Sequence, residues 1–185
     1  MLSKTNIVLM GLIAQKPLNP YEIQHILTKE KIRDWVPIAE SSVYAGIRSL
    51  HEKGYLQGQG QKESNMPEKT VYRLTEDGSA VLQESIEHSL SSMELDLVSL
   101  NLGLYFMGLI KKERVSVILN SKISKLDEET QTLKKQMDDS SLTAIAKAMI
   151  KHRIYLLFSE ARTLRELLEK MEKDAAGDEH HATDV

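Results

Sequence analysis

Residues 41–54 read SSVYAGIRSLHEKG, and this stretch predicts a short helix that ends at Gly54. Val43, Ile47 and Leu50 follow the i, i+4, i+7 spacing of a single apolar stripe. The opposite face would carry only small and polar side chains, namely those of Ser41, Ala45, Arg48 and Glu52. A helix that enters a DNA major groove needs such a face, because bulky side chains would hold it away from the base edges. An ordinary surface helix has the same pattern, so the flanking sequence has to decide.

Composition limits the classes of protein that the chain can represent. Its 185 residues are 41% apolar, which allows one large or two small domains with a buried core. Cysteine is absent, which excludes thiolate catalysis and disulfides, and a net charge of −3 means that contact with nucleic acid requires a local basic surface. The first residues lack the pattern of a signal peptide, and the most apolar window, 97–110, is shorter than a membrane span of about 20 residues. We expect a soluble, cytoplasmic protein without membrane contact.

The elements around the helix predicted at residues 41–54 follow a recognisable order. An apolar helix is predicted near residues 4–15, and a second begins at Asn19 and Pro20, with Glu22 completing a capping box. After Gly54, two strands at 55–57 and 70–75 are joined by a polar loop, and a further helix follows. Helix, helix, polar-faced helix, hairpin and helix is the order of a winged helix-turn-helix domain.

The same half of the chain resembles the PadR-like family of bacterial transcription regulators. The matching segments occur in the family's order and are LNPYEI at 18–23, Trp35, SVY at 42–44, Arg48 with Leu50, EKGYL at 52–56 and VYRLTEDG at 71–78. The chain departs from the family where Asn19-Pro20 replaces His-Gly and Ala45-Gly46 replaces Pro-Ala. Residues 67–70, PEKT, stand where the family has Pro-Pro-Arg-Lys, which makes the hairpin less basic. The resemblance implies a winged helix-turn-helix domain followed by a helical dimerisation domain.

The second half has the heptad pattern of paired helices. One seam consists of Leu119, Ile123, Leu126, Thr130, Leu133 and Met137. A second seam, after a polar turn, consists of Ile150, Ile154, Leu157, Ala161, Leu164, Leu168 and Met171. Two short seams predict an antiparallel pair that packs into something larger, for which a two-fold homodimer is the simplest solution and a monomeric bundle the alternative.

These patterns predict a mostly α protein with a small β-hairpin wing. We expect a DNA-binding domain at residues 1–90, a helical, coiled-coil dimerisation domain at 91–174, and a disordered or frayed tail at 175–185. The partner would be double-stranded DNA with a two-fold operator, whose half-sites lie about one helical turn or a multiple apart.

The DNA hypothesis gives each candidate residue a role. The small polar residues expected to border base edges are Ser41, Ser42, Ala45 and Ser49. Arg48 would contact guanine or phosphate and Tyr44 the DNA backbone, unless the tyrosine ring packs inward. The hairpin cations Lys62, Lys69 and Arg73 would contact phosphates, unless the hairpin is simply solvated.

The sequence offers little sign of catalysis. It contains none of the common nucleophile, nucleotide-binding or zinc motifs, and the adjacent His180 and His181 lack a third ligand at a sensible spacing. We therefore expect a protein that is not an enzyme and that uses no cofactor or metal. Five bulky side chains could line an apolar pocket for a planar small molecule, or could simply be interface core: Tyr105, Phe106, Met107, Tyr155 and Phe158. The family resemblance implies regulators that respond to phenolic or other hydrophobic ligands, or to none.

The function that these features predict is sequence-specific transcription regulation by a dimer, expected to be a repressor, with a possible hydrophobic effector. Two alternatives are a helical adaptor that uses the winged domain for protein contacts and a small-molecule sensor. The adaptor predicts no salt-dependent DNA binding, and the sensor predicts that a ligand changes the fluorescence of Trp35 or the thermal stability.

Overall fold

The structure, a computed structural model, describes residues 1–61 and 69–181, with only the backbone described for Gln61 and for residues 175–181. The chain forms two compact units, Met1–Lys112 and Glu113–Val185. The mostly helical fold with one antiparallel hairpin confirms the predicted fold class. Lys62 and residues 182–185 lie outside the described residues. The frayed tail and the expected domain boundaries stay predictions.

The first unit follows the predicted order of elements. Its helices are α1 (Lys4–Gln15), α2 (Pro20–Lys29), α3 (Glu40–Glu52), α4 (Glu76–Ser91) and α5 (Leu97–Phe106), and its strands are β1 (Leu56–Gln61) and β2 (Lys69–Leu74). Short 3₁₀ turns follow α2 at Ile32–Asp34 and α5 at Met107–Leu109.

Helix α1 forms the centre of this unit. Every residue from Ile7 to Ile13 is buried, because α1 is covered by α3, α4 and α5 and also meets β2. Gly46 of α3 allows a close approach, since a Cβ at that position would lie 2.6 Å from the Leu9 side chain. The apolar residues of the helix predicted near residues 4–15 are therefore its contacts with three helices.

The start of α2 is fixed by its sequence. The Asn19 side chain accepts from the Glu22 amide at 3.0 Å, and Glu22 accepts in return from the Asn19 amide at 2.9 Å, so the predicted capping box is confirmed. The chain then reverses through Lys31, whose φ of 52° is left-handed. Helix α3 begins at Glu40, and its N-cap residue Ala39 makes no side-chain cap.

The hairpin is tied to the helices at its base. Leu56 pairs with Leu74 and Gln61 with Lys69, in a regular antiparallel register. Leu18, just before α2, adds a bridge to Tyr72: each amide donates to the other carbonyl, at 3.2 and 2.9 Å. Gly54 turns the chain from α3 towards β1 with a φ of +75°.

The second unit is an antiparallel pair of helices, α6 (Lys112–Met137) and α7 (Ala144–His181). The two predicted seams face inward: all their residues are buried or half-buried. Lys122 forms a 2.8 Å ion pair with Glu160, in which the lysine side chain is 1% exposed. Arg153 pairs with Glu129 at 2.8 Å. Because the later of these two positions in α6 pairs with the earlier position in α7, the helices run antiparallel as predicted.

Candidate nucleic-acid interface

Helix α3 presents one polar face to solvent. Its stripe of Val43, Ile47 and Leu50 is buried, as the apolar spacing predicts. The face opposite to the stripe is exposed, and its residues are Ser41, Ala45, Arg48 and Glu52. Ser42 and Ser49 are half-buried on one flank. Within the described residues of the first unit, no other part of the chain covers the outer side of α3. This side also carries no side chain that would keep the helix out of a DNA major groove.

A groove of about 320 Å³ runs beside this face and joins three elements. It is lined by Tyr44 of α3, by Tyr21 at the start of α2 and by Lys69 of the hairpin, among others. Tyr44 is 53% exposed, so its ring does not pack inward, and Tyr21 is 76% exposed. Sequence reasoning did not single out Tyr21, although an aromatic residue directly after the helix-starting Pro20 was a usable signal.

The hairpin places its cations differently. Arg73 is exposed and lines a shallow depression of about 260 Å³ together with Gln59 and Val71. Lys69 is half-buried and lies at the groove described above. Lys62 lies outside the described residues. The structure therefore brings Lys69 close to the α3 flank and leaves Arg73 on the hairpin surface.

The end of α3 is attached to the hairpin through His51. Its Nδ1 donates to the Leu56 carbonyl oxygen at 2.9 Å, and its ring meets that of Tyr72 edge-on with centroids 5.9 Å apart. These contacts fix the angle between the polar-faced helix and the two-stranded ribbon, which is the geometry that a winged helix requires.

Residues 9–84, which contain this helix and both strands of the hairpin, match the sequence model of the transcriptional regulator PadR-like family. This region belongs to the PadR-like family. The resemblance stated from the sequence is thereby confirmed, and members of the family are transcription regulators, not enzymes.

Three solved structures show how the whole chain compares. Bacillus subtilis PadR in complex with operator DNA is 16% identical, covering 90% of this chain and 98% of its own, with a TM-score of 0.44. The same protein in complex with p-coumaric acid is 15% identical over 92% and 99%, with a TM-score of 0.39. A PadR-like transcriptional regulator of Bacillus cereus is 16% identical over 93% and 99%, also with a TM-score of 0.39. No curated protein sequence matches the chain.

The five aromatic and apolar side chains predicted to bind an effector divide between the two units. In the first unit, Tyr105 is 42% exposed, half-buried Met107 follows α5, and Phe106 is 1% exposed in the core. The Trp35 and Tyr105 rings lie 5.8 Å apart and border an open depression of about 530 Å³. Partial burial and, to a smaller degree, the charge of Glu30 raise the pKa of the Tyr105 phenol. Tyr155 and Phe158 are exposed on α7 of the other unit.

The described parts of both units hold neither a metal cluster nor a membrane span. No group of three or more histidine and carboxylate side chains there could hold a metal ion. Among the same residues, no helix combines the length and apolar character that a bilayer span requires.

Proposed function

We propose that the protein is a dimeric, sequence-specific DNA-binding transcription regulator that acts as a repressor in the cytoplasm. The observation that carries the proposal is the uncovered polar face of α3, in a region that matches a family of transcriptional regulators. Its small side chains allow close approach to base pairs, and Arg48 adds to this face a cation that can pair with guanine.

In this proposal the DNA backbone is contacted on one side of α3. Tyr44 and Tyr21 offer hydroxyl groups, and Lys69 and Arg73 offer positive charge along the hairpin. These contacts set the position of the helix, while Ser41, Ser42, Ala45 and Ser49 border the bases. Lys62 is retained as a further phosphate contact on its sequence position alone.

Selection of bound DNA from a random pool, followed by a salt titration on the selected sequence, tests this function. We expect one enriched sequence with two-fold symmetry and an affinity that falls steeply with salt, because phosphate contacts release counterions. Binding that is weak, insensitive to salt and independent of sequence would favour the adaptor alternative.

The dimer is proposed from the outer side of α7. Large apolar side chains are exposed on the two flanks of α7 outside the seam that α6 covers: Ile145, Met149 and Leu156 on one flank, and Tyr155 and Phe158 on the other. A lone chain rarely exposes so many bulky apolar groups on one helix. A second copy would cover them, so we propose that residues 91–174 hold the dimer and residues 1–90 contact DNA.

A small hydrophobic effector is proposed from a separate observation. The depression beside Trp35 and Tyr105 offers two ring faces at its edge, with Leu104 and Asn101 completing the lining. A planar aromatic molecule could stack there, while Met107, two residues after Tyr105, is not among the residues that line the depression. Phe106 would act only indirectly, since its ring is core. A panel of aromatic compounds that leaves both Trp35 fluorescence and operator affinity unchanged would remove this part of the proposal.

A further inference from the structure

Three side chains from separate elements meet at the first turn of α3. Gln24 of α2 donates from Nε2 to the backbone carbonyl oxygen of Glu40 at 3.0 Å. Arg33, in the 3₁₀ turn, donates from Nη2 to Oε1 of Gln24. The Nη1 of Arg33 lies 3.9 Å from Oε1 of Glu40, which closes a ring of contacts. Glu40 is therefore fixed in position both through its backbone and through its carboxylate.

Arg33 is the more buried member of this group and Glu40 the more exposed one. The Arg33 side chain is 29% exposed, and its Nε is buried without a hydrogen-bond partner among the described residues. The Glu40 side chain is 79% exposed. The largely buried guanidinium of Arg33 thus helps to position the carboxylate of Glu40, which remains exposed to solvent.

Stability of α3 is a weak reason for this arrangement. A single acidic residue in the first turn contributes little when it is exposed, and an exposed ion pair contributes little more. Gln24 bonds to the Glu40 carbonyl oxygen, whereas the groups that need partners at a helix start are amides. Arg33 and Gln24 are therefore not needed to cap the helix.

Recognition of a base explains the three contacts together. The first residues of a reading helix are those that meet base edges, and an ionised carboxylate can only accept hydrogen bonds. In the major groove, the amino group at N4 of cytosine is the donor that Glu side chains pair with. An unpaired carboxylate would be repelled by the phosphates, and the nearby guanidinium of Arg33 offsets that repulsion.

We propose that Glu40 determines specificity by accepting a hydrogen bond from a cytosine in each half-site, with Arg33 as the positioning residue that Gln24 holds in place. The inference rests on the proposed DNA-binding function. It adds a residue that lies just outside the stretch on which the sequence analysis concentrated.

The test uses selection from a random DNA pool with the full chain, comparing the wild type with Glu40→Gln. The wild type should enrich cytosine at one position of each half-site, and replacement of that base pair should weaken its binding about 5- to 150-fold. Glu40→Gln should shift the preference at that one position to adenine, which an amide can pair with at two atoms, and leave the other positions unchanged. Glu84→Gln is the matched control, because it removes the same charge from an exposed site on α4, outside the polar face of α3.

Arg33→Gln distinguishes positioning from folding. A positioning role predicts a weaker preference at the same single base pair, with the remaining positions and the far-ultraviolet circular dichroism unchanged. Three outcomes would overturn the inference: a base preference in Glu40→Gln equal to that of the wild type, a uniform rise in affinity for all sequences, or an Arg33→Gln variant that loses all positions equally. A wild type that enriches no sequence would overturn the proposed function itself.

Discussion

The ring of Phe106 lies against the backbone of Gly11, so that a Cβ at position 11 would come within 2.6 Å of the ring atom Cδ1. We expect Gly11→Ala to lower the free energy of unfolding by about 1–3 kcal/mol, because the core has no room for the methyl group. Urea unfolding followed by the fluorescence of Trp35, the single tryptophan, measures the stability of the first unit, Met1–Lys112, which contains both residues.

Two further variants make that measurement specific. Gly108→Ala is the control, since a Cβ there would meet nothing within 4 Å, and it should change stability by less than about 0.5 kcal/mol. Phe106→Leu in the Gly11→Ala background should recover part of the loss. A Gly11→Ala protein as stable as the wild type would contradict the packing described for α1 and α5.

Arg48 is expected to contribute to specific DNA binding. Arg48→Ala should cost about 1–3 kcal/mol of binding free energy if the guanidinium pairs with a guanine, and the loss should depend on the base at one position. If it contacts a phosphate, affinity should fall for all sequences and the salt slope should decrease by about one. Lys134→Ala, an exposed cation of the second unit, is the control in fluorescence-anisotropy titrations. Unchanged affinity in Arg48→Ala would exclude this residue from the interface.

Asp96 makes the stability of the first unit depend on pH in the acid range. Lys4 hydrogen-bonds to its carboxylate at 2.6 Å, and this contact is the main reason why its pKa falls from 3.8 to about 2. Because the folded state holds the proton less tightly than the unfolded state, this stabilisation is present above pH 4 and is lost as the pH falls towards 2.

Asp96→Asn tests this contribution while it preserves a residue able to cap α5, whose Ser99 amide bonds to Asp96 at 3.2 Å. The variant should be about 0.5–1 kcal/mol less stable than the wild type at pH 7, since the ion pair is partly exposed, and equally stable near pH 2. Thermal unfolding across pH measures the difference. A constant difference from pH 7 to pH 2 would contradict the assigned role of Lys4.

The outer side of α7 should control association. Met149→Glu should weaken the dimer by roughly 3–5 kcal/mol, because it would place an unpaired charge inside the interface. Sedimentation velocity would then show a monomer with unchanged helical content. Gln131→Glu, which adds the same charge at an exposed position of α6, is the control and should remain a dimer. A Met149→Glu protein that sediments like the wild type would move the interface away from this side of α7.

Several structural features could be predicted because periodicity alone decides them. The stripe of α3 and the two heptad seams faced inward as their spacing requires, and the capping box at Asn19 is a local pattern. Such signals depend on residues a few positions apart, whose relative placement on a helix is fixed by geometry. The strands were placed within a few residues of their observed ends.

Other features depend on contacts that no local pattern encodes. Helix α5 is apolar on nearly all sides, so its sequence has no stripe to show that Phe106 is core while its neighbour Tyr105 is exposed. The contacts of Glu40 with Gln24 and Arg33 join positions that are distant in sequence, and they exist only once α2 and α3 are packed. The candidate site was therefore predictable along α3 and not at its first turn.

The two hydrogen bonds between Leu18 and Tyr72 leave no hinge between the ribbon and the start of α2, because Leu18 directly precedes the capped Asn19. A displacement of the base of the hairpin is thus transmitted directly to the start of α2. The hairpin and α2 should therefore dock on DNA as one rigid body. A poor fit of the duplex at one of these two elements should also change the contacts made by the other.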